Sequence, residues 1–193
     1  MSPNVPTRDD TRARILRVAL ELFVEQGFAA TSTRELSERL GFTKAALYYH
    51  FRTKEDLLAA LVAPVLDELA RLVGGATTQP SAAARRAVLA GYIDLVAANA
   101  GLIRMLSQDP SVARCSALTS NQALYDRLTE LLSGHHAPGT AERTRVRAAL
   151  GGVRAALFCT DPADDPTVVR ATALAAACGA LGIPDPAIPT RPR

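Results

Sequence analysis

Tryptophan is absent from this 193-residue chain, lysine occurs twice, and phenylalanine plus tyrosine make up only 5%. So few aromatics argue against an aromatic-walled pocket for flat ligands. There are three cysteines, Cys115, Cys159 and Cys178, and none forms a C-x-x-C pair. An odd number without pairing excludes a disulfide framework and a zinc ribbon, and it implies buried, reduced thiols in a cytoplasmic protein. No uninterrupted apolar stretch approaches the roughly 18 residues of a membrane span. The longest nearly apolar runs, Leu57–Leu66 and Ala171–Cys178, suit buried helix faces. Residues Met1–Pro6 carry no apolar signal-peptide core, so secretion is not expected. Catalytic motifs are missing as well. No glycine-rich phosphate loop and no nucleophile elbow occurs. His135 and His136 have no neighbour at metal-ligand spacing, and Asp161, Asp164 and Asp165 lack the spacing of a calcium loop. Neither enzyme activity, metal nor cofactor is expected.

What is present is helix-forming material. Alanine (36) and leucine (25) far outnumber valine (13) and isoleucine (5). Straight-chain helix formers in that excess over β-branched residues imply an all-α fold. The apolar fraction of 48% is enough to fill a core. The net charge of +3 and isoelectric point near 9.0 permit nucleic-acid binding without establishing it. Arginine (20) so exceeds lysine (2) that, beside so much alanine, we read it as a GC-rich genome's codon usage.

Periodic segments alternate with caps and breakers about nine times. Ile15, Ala19, Leu22 and Phe23 form one buried stripe of a first helix, which Gly27 stops. Ser32-Thr33-Arg34-Glu35 is a capping-box pattern for a short second helix ending at Gly41. Thr43 caps a third, Lys44 to about His50, with Leu47 and Phe51 inward. Thr53–Asp56 cap a fourth, over 54–73, with Leu57, Leu61, Val65, Leu69 and Leu72 as its stripe. Pro64 inside it should produce a kink, either a working joint or a static bend. A fifth helix buries Val88, Leu89, Tyr92, Ile93 and Val96. Leu102–Leu106 is a short sixth. A seventh starts at Asp109-Pro110 and carries Leu124, Leu128 and Leu131. Thr140 opens an eighth with Val146, Leu150, Val153 and Leu157, and a ninth runs to about Leu181. This gives an N-terminal arm and three-helix unit over 1–53, a helical unit over 54–182, and a flexible proline-rich tail over 183–193.

Residues 31–54, TSTRELSERLGFTKAALYYHFRTK, carry the chemistry. Two short helices joined by Gly41-Phe42-Thr43 make a helix-turn-helix, whose second helix can enter a major groove. From Gly41 to Lys54 there are three cations (Lys44, Arg52, Lys54) and no acid, and both lysines of the chain lie here. Tyr48, Tyr49 and His50 interleave with them. Cations and hydroxyls fix a protein on phosphates, while groove-facing side chains read bases. A solvated helical hairpin would gain nothing from two adjacent exposed tyrosines.

Residues 11–58 resemble the TetR family of bacterial transcriptional regulators. The matching pieces are Ile15…Ala19…Leu22-Phe23…Gly27-Phe28, Thr31…Arg34-Glu35-Leu36, Leu40-Gly41, and Thr43-Lys44…Leu47-Tyr48-Tyr49-His50-Phe51…Lys54-Glu55-Asp56-Leu57-Leu58. The resemblance implies that Thr33, Tyr48, Tyr49 and Lys54 clamp phosphates, and that Arg34, Thr43, Lys44, Ala45 and His50 reach base edges. Arg34 and Lys44 each suit guanine O6/N7. Arg8 and Arg12, on the expected arm, fit either DNA contacts or solvated charge.

It further implies a homodimer through the last two helices, about 140–181, whose small residues (Ala148–Gly152, Ala171–Ala180) let backbones approach closely. The partner is then a palindromic double-stranded operator. The family also implies release by a small effector, which the scarcity of aromatics makes apolar. Tyr92, Met105, Tyr125 and Phe158 are candidates to line its cavity, though each also fits as ordinary core. A transcriptional activator or an effector-independent repressor of the same fold remains open, as does a helical interaction module without DNA binding.

Overall fold

The computed structural model describes residues 8–75, 80–115, 121–161 and 163–184. Among them are nine α-helices and one 3₁₀ turn, and no strand. The helices are α1 (Arg8–Gln26), α2 (Thr33–Leu40), α3 (Lys44–His50), α4 (Lys54–Gly74), α5 (Ala82–Ala98), α6 (Ala100–Gln108), α7 (Gln122–Ser133), α8 (Thr140–Phe158) and α9 (Pro166–Ala180). The all-α reading holds. The described residues fall into two compact units: those up to Val65 together with those from Gly101 to Cys115, and the remainder. Most of α6 and the 3₁₀ turn thus belong with the N-terminal helices, not with the later ones as the sequence suggests. The arm before Arg8 and the tail beyond Pro184 lie outside the described residues.

Local chemistry sets the helix ends. Ser32 Oγ accepts the Glu35 amide at 3.1 Å, but the Glu35 carboxylate takes Gln26 Nε2 at 2.8 Å, so only half of the expected capping box forms. At α4 the box is complete: Asp56 N donates to Thr53 Oγ1 and Thr53 N to Asp56 Oδ2, both at 3.0 Å. Gly41, at φ 67°, closes α2 in the left-handed region that favours glycine.

The first unit's core is Ile15, Ala19, Leu22, Phe23, Leu36, Leu40, Leu47 and Phe51, all buried as their spacing implies. In α4 the inward line is Leu58, Val62, Leu69 and Val73, with Leu57; Leu61, Val65 and Leu72 are half-buried. The stripe therefore sits about one position away from the expected one. Alternative phases of a leucine-rich helix are nearly equivalent until its neighbours are known. Pro64 cannot donate to the Ala60 carbonyl, yet α4 continues across it. The boundary between the units falls just beyond it, after Val65.

The expected seventh helix is two elements: a 3₁₀ turn at Pro110–Arg114, capped by Asp109, and α7, which starts only at Gln122. Cys115 and Cys178 are buried, but Cys159 is exposed at the end of α8. Burial, with Glu55 and Asp109 nearby, pushes the Cys115 thiol up, which makes it a poor nucleophile.

In the second unit α8 and α9 lie along each other. A groove of about 480 Å³ runs between their small residues, including Ala148, Gly152, Ala156, Thr172 and Ala176. Val168 at its edge is 59% exposed. No single helix among the described residues is long and apolar enough to cross a membrane.

Candidate nucleic-acid interface

The α3 helix turns Leu47 inward, 1% exposed, and leaves Lys44, Ala45, Ala46, Tyr48 and Tyr49 outward. Seven residues make two turns, so one buried leucine and the following Phe51 suffice to hold it. Thr43 opens it by accepting the Ala46 amide at 3.1 Å, a bond that still leaves its hydroxyl proton to donate outward. Tyr49 is 69% exposed and Tyr48 45%. Aromatic surface left in water contributes little to folding, so these rings mark a contact face. Thr33, at the start of α2, meets Tyr48 hydroxyl to hydroxyl at 3.4 Å, which joins two of the expected phosphate ligands at one point.

Arginines of α1 brace this face. The Arg8 guanidinium lies 5.3 Å from the Tyr49 ring centre, and Arg12 lies 4.7 Å from that of Phe51. Both lie in the first turns of α1 rather than on a free arm. Tyr49 also meets His50 edge to face at 5.3 Å. Arg34 is 75% exposed in its side chain and pairs with Glu38 at 2.8 Å; that hydrogen bond raises the guanidinium's pKa further. That bond uses only its Nε, and the side chain is otherwise well exposed.

Lys54 departs from expectation. Its ammonium turns inward and donates to the carbonyls of Phe28 (2.6 Å), Ala29 (3.2 Å) and Thr31 (2.9 Å), over the Phe28 ring at 4.4 Å. An ammonium has three donors, and all three are used. Lys54 thereby fixes the α1–α2 loop. The same loop is held from its other side by Asp109, whose Oδ2 accepts the Ala29 amide at 3.1 Å. Gly27 enters the loop at φ +88°, and a Cβ there would stand 3.3 Å from that carboxylate oxygen. The Ser111 hydroxyl, followed by the Ala29, Ser111 and Phe28 backbone, holds the Asp109 carboxyl below its usual range against a smaller opposing effect of burial.

This geometry and the sequence converge with known proteins. The model of "Bacterial regulatory proteins, tetR family" matches residues 15–61, which span α1 to the first turns of α4. Its N-terminal segment is therefore similar to that of the TetR-family regulators. It is 29% identical over 133 residues to the "HTH-type transcriptional activator FasR" of Mycolicibacterium smegmatis, covering 65% of this chain and 60% of that one. Over 54 residues it is 48% identical to the class A tetracycline repressor protein from transposon 1721 of Escherichia coli, 28% of this chain and 25% of that one. The chain thus spans 60% and about a quarter of these two relatives' lengths. The crystal structure of the TetR-family regulator PfmR from Thermus thermophilus superposes with a TM-score of 0.64 at 26% identity, covering 88% of this chain and 97% of that one. These TetR-family relatives are named as transcriptional regulators, not enzymes.

Two of the expected effector residues share a cleft. Tyr92 and Tyr125 line one cleft of the second unit, between α5, α7 and α8. Met105 lines a different recess, in the first unit, beside Phe23 and Gly27. Phe158 lines neither. The cleft holding the tyrosines is not apolar either, because Arg143, Arg147 and Arg154 share it. They stand at i, i+4 and i+11 on α8, one face of the helix. That spacing is visible in the sequence, but it passes unnoticed when arginine is read only as composition.

Proposed function

We propose that this protein is a TetR-type, effector-responsive regulator that binds a palindromic operator as a homodimer and represses transcription. The observation that carries the reading is α3 itself: a two-turn helix with one leucine inward and a lysine, two alanines and two tyrosines outward. Lys44, Ala45 and His50, with Thr43 and Arg34, are the base-reading set; Thr33, Tyr48 and Tyr49 contact phosphates. The α8–α9 groove, apolar and lined by alanine and glycine, is the surface offered to a second copy. Two-fold pairing presents two α3 helices about one turn of DNA apart, roughly 34–36 Å or somewhat more. The effector acts by favouring a different spacing; a complete switch requires about 10⁴-fold preference between the two states.

Activation is the second reading. FasR, whose name is that of an activator, is aligned over 65% of this chain, well beyond the DNA-binding segment. Selection of genomic fragments by the purified protein, followed by transcription from the selected promoter with and without protein, separates the two. Repression lowers the transcript and activation raises it. A protein that selects no fragments at sub-micromolar concentration is a helical interaction module instead.

A further inference from the structure

The cleft between α5, α7 and α8 has a chemistry that its tyrosines alone do not suggest. Its volume is about 190 Å³, room for about six waters at roughly 30 Å³ each, and less than a drug-sized pocket. Leu128 and Leu150 supply apolar wall. Three arginines and one acid, Asp126, face it. Arg143 is engaged by the Pro138 carbonyl and the Thr140 hydroxyl. Among the described residues neither Arg147 nor Arg154 has a carboxylate within ion-pair distance, and Asp126 instead accepts Gln122 Nε2 at 2.9 Å. Like charges one turn apart on a helix repel, so α8 carries this stripe at a cost that a bound anion would relieve.

We propose that this cleft binds a small organic monocarboxylate as the effector, an inference that rests on the effector-responsive reading above. The carboxylate is gripped by the forks of Arg154 and Arg147, and the Tyr92 hydroxyl donates a further bond. Tyr92 suits that part: it is only 6% exposed, and burial pushes its phenol up against the smaller opposing effect of Arg154, which keeps the proton on. Tyr125 is shifted the same way, again chiefly by burial. Asp126 at the wall disfavours a dianion such as a phosphate monoester, and the two leucines take a compact apolar body.

Titration calorimetry of the full chain at fixed ionic strength, with benzoate, benzamide and inorganic phosphate as probes, tests this. Benzoate should bind at least tenfold more tightly than its uncharged isostere benzamide and than phosphate. Arg154→Met and Arg147→Met should each weaken benzoate at least tenfold. Arg147 is exposed, so its variant keeps the test valid if Arg154→Met does not fold. Equal binding of benzoate and benzamide, preference for phosphate, or variants that bind like the parent would each overturn the site. Operator binding is measured alongside. Benzoate that binds but leaves operator affinity unchanged overturns the effector role. Failure of the ligand-free protein to bind any operator overturns the regulator reading and leaves the carboxylate site to be judged by calorimetry.

Discussion

Lys54 and Asp109 hold the same residue by its two backbone groups: the ammonium donates to the Ala29 carbonyl at 3.2 Å, and the carboxylate accepts the Ala29 amide at 3.1 Å. The two are 55 positions apart in sequence, yet both lie in the first unit. Between them they fix the loop from which α2 starts, and α2 carries Thr33 against Tyr48 of α3. The DNA-facing helices thus depend on a loop clamped by one cation and one anion.

Lys54→Met should therefore act on stability rather than on charge. It leaves three carbonyls without their donor, and hydrogen bonds to a charged group contribute roughly 1.5–3 kcal/mol. Urea unfolding should show a loss of that order. The salt dependence of DNA binding should stay within experimental error of the parent, because no phosphate contact is removed. A slope shallower by about 0.9 would instead assign Lys54 to a phosphate.

The Asp109 clamp has a pH signature. Its folded-state pKa is depressed, first by the Ser111 hydroxyl and then by backbone amides. A depressed carboxylate contributes stability that is present above its unfolded pKa and is lost as pH falls through the folded one. Asp109→Asn should be less stable than the parent at neutral pH. The difference should shrink toward zero in acid, at pH values below the ordinary carboxylate range. Parallel denaturation curves with a constant offset at every pH would contradict the clamp.

The local part of this arrangement is legible in the sequence. The core of α1 to α3 follows from Ile15, Leu22, Leu36 and Leu47 at helical spacing, and the caps at Ser32, Thr43 and Thr53 follow from residue type. Lys54 does not, because its partners lie 23 to 26 residues earlier and no local pattern announces which carbonyls a lysine will find. Periodicity likewise says which face of a helix is buried, not which helices share a cavity. The arginine stripe of α8 is different, since its spacing is plain in the sequence and only its meaning needed Tyr92 and Tyr125 beside it.

The α8–α9 groove gives a prediction about assembly. Ala176 is exposed and lines the groove. Ala176→Glu would bury a charge at a two-fold contact, where the unpaired carboxylate is strongly unfavourable. Sedimentation should show a dimer for the parent and a monomer for the variant at the same micromolar concentration, with helical content unchanged. A variant that remains dimeric would place the interface elsewhere.

Base reading should separate from general affinity at Lys44. Lys44→Ala removes an exposed cation of α3 and, on the proposed base-reading role, should cost about 1–3 kcal/mol on the operator, with a smaller loss on unrelated duplex. Competition binding against both DNAs at one salt concentration gives the comparison. An equal loss on both would make Lys44 a phosphate contact.

In the proposed complex two exposed α3 helices meet successive grooves of one duplex. Footprinting the protein on fragments it selects from a genome tests this most directly. The footprint should be palindromic, with half-sites about 34–36 Å apart or somewhat more, and should be abolished by Ala176→Glu. A single unpaired half-site bound equally well by the monomeric variant would contradict it.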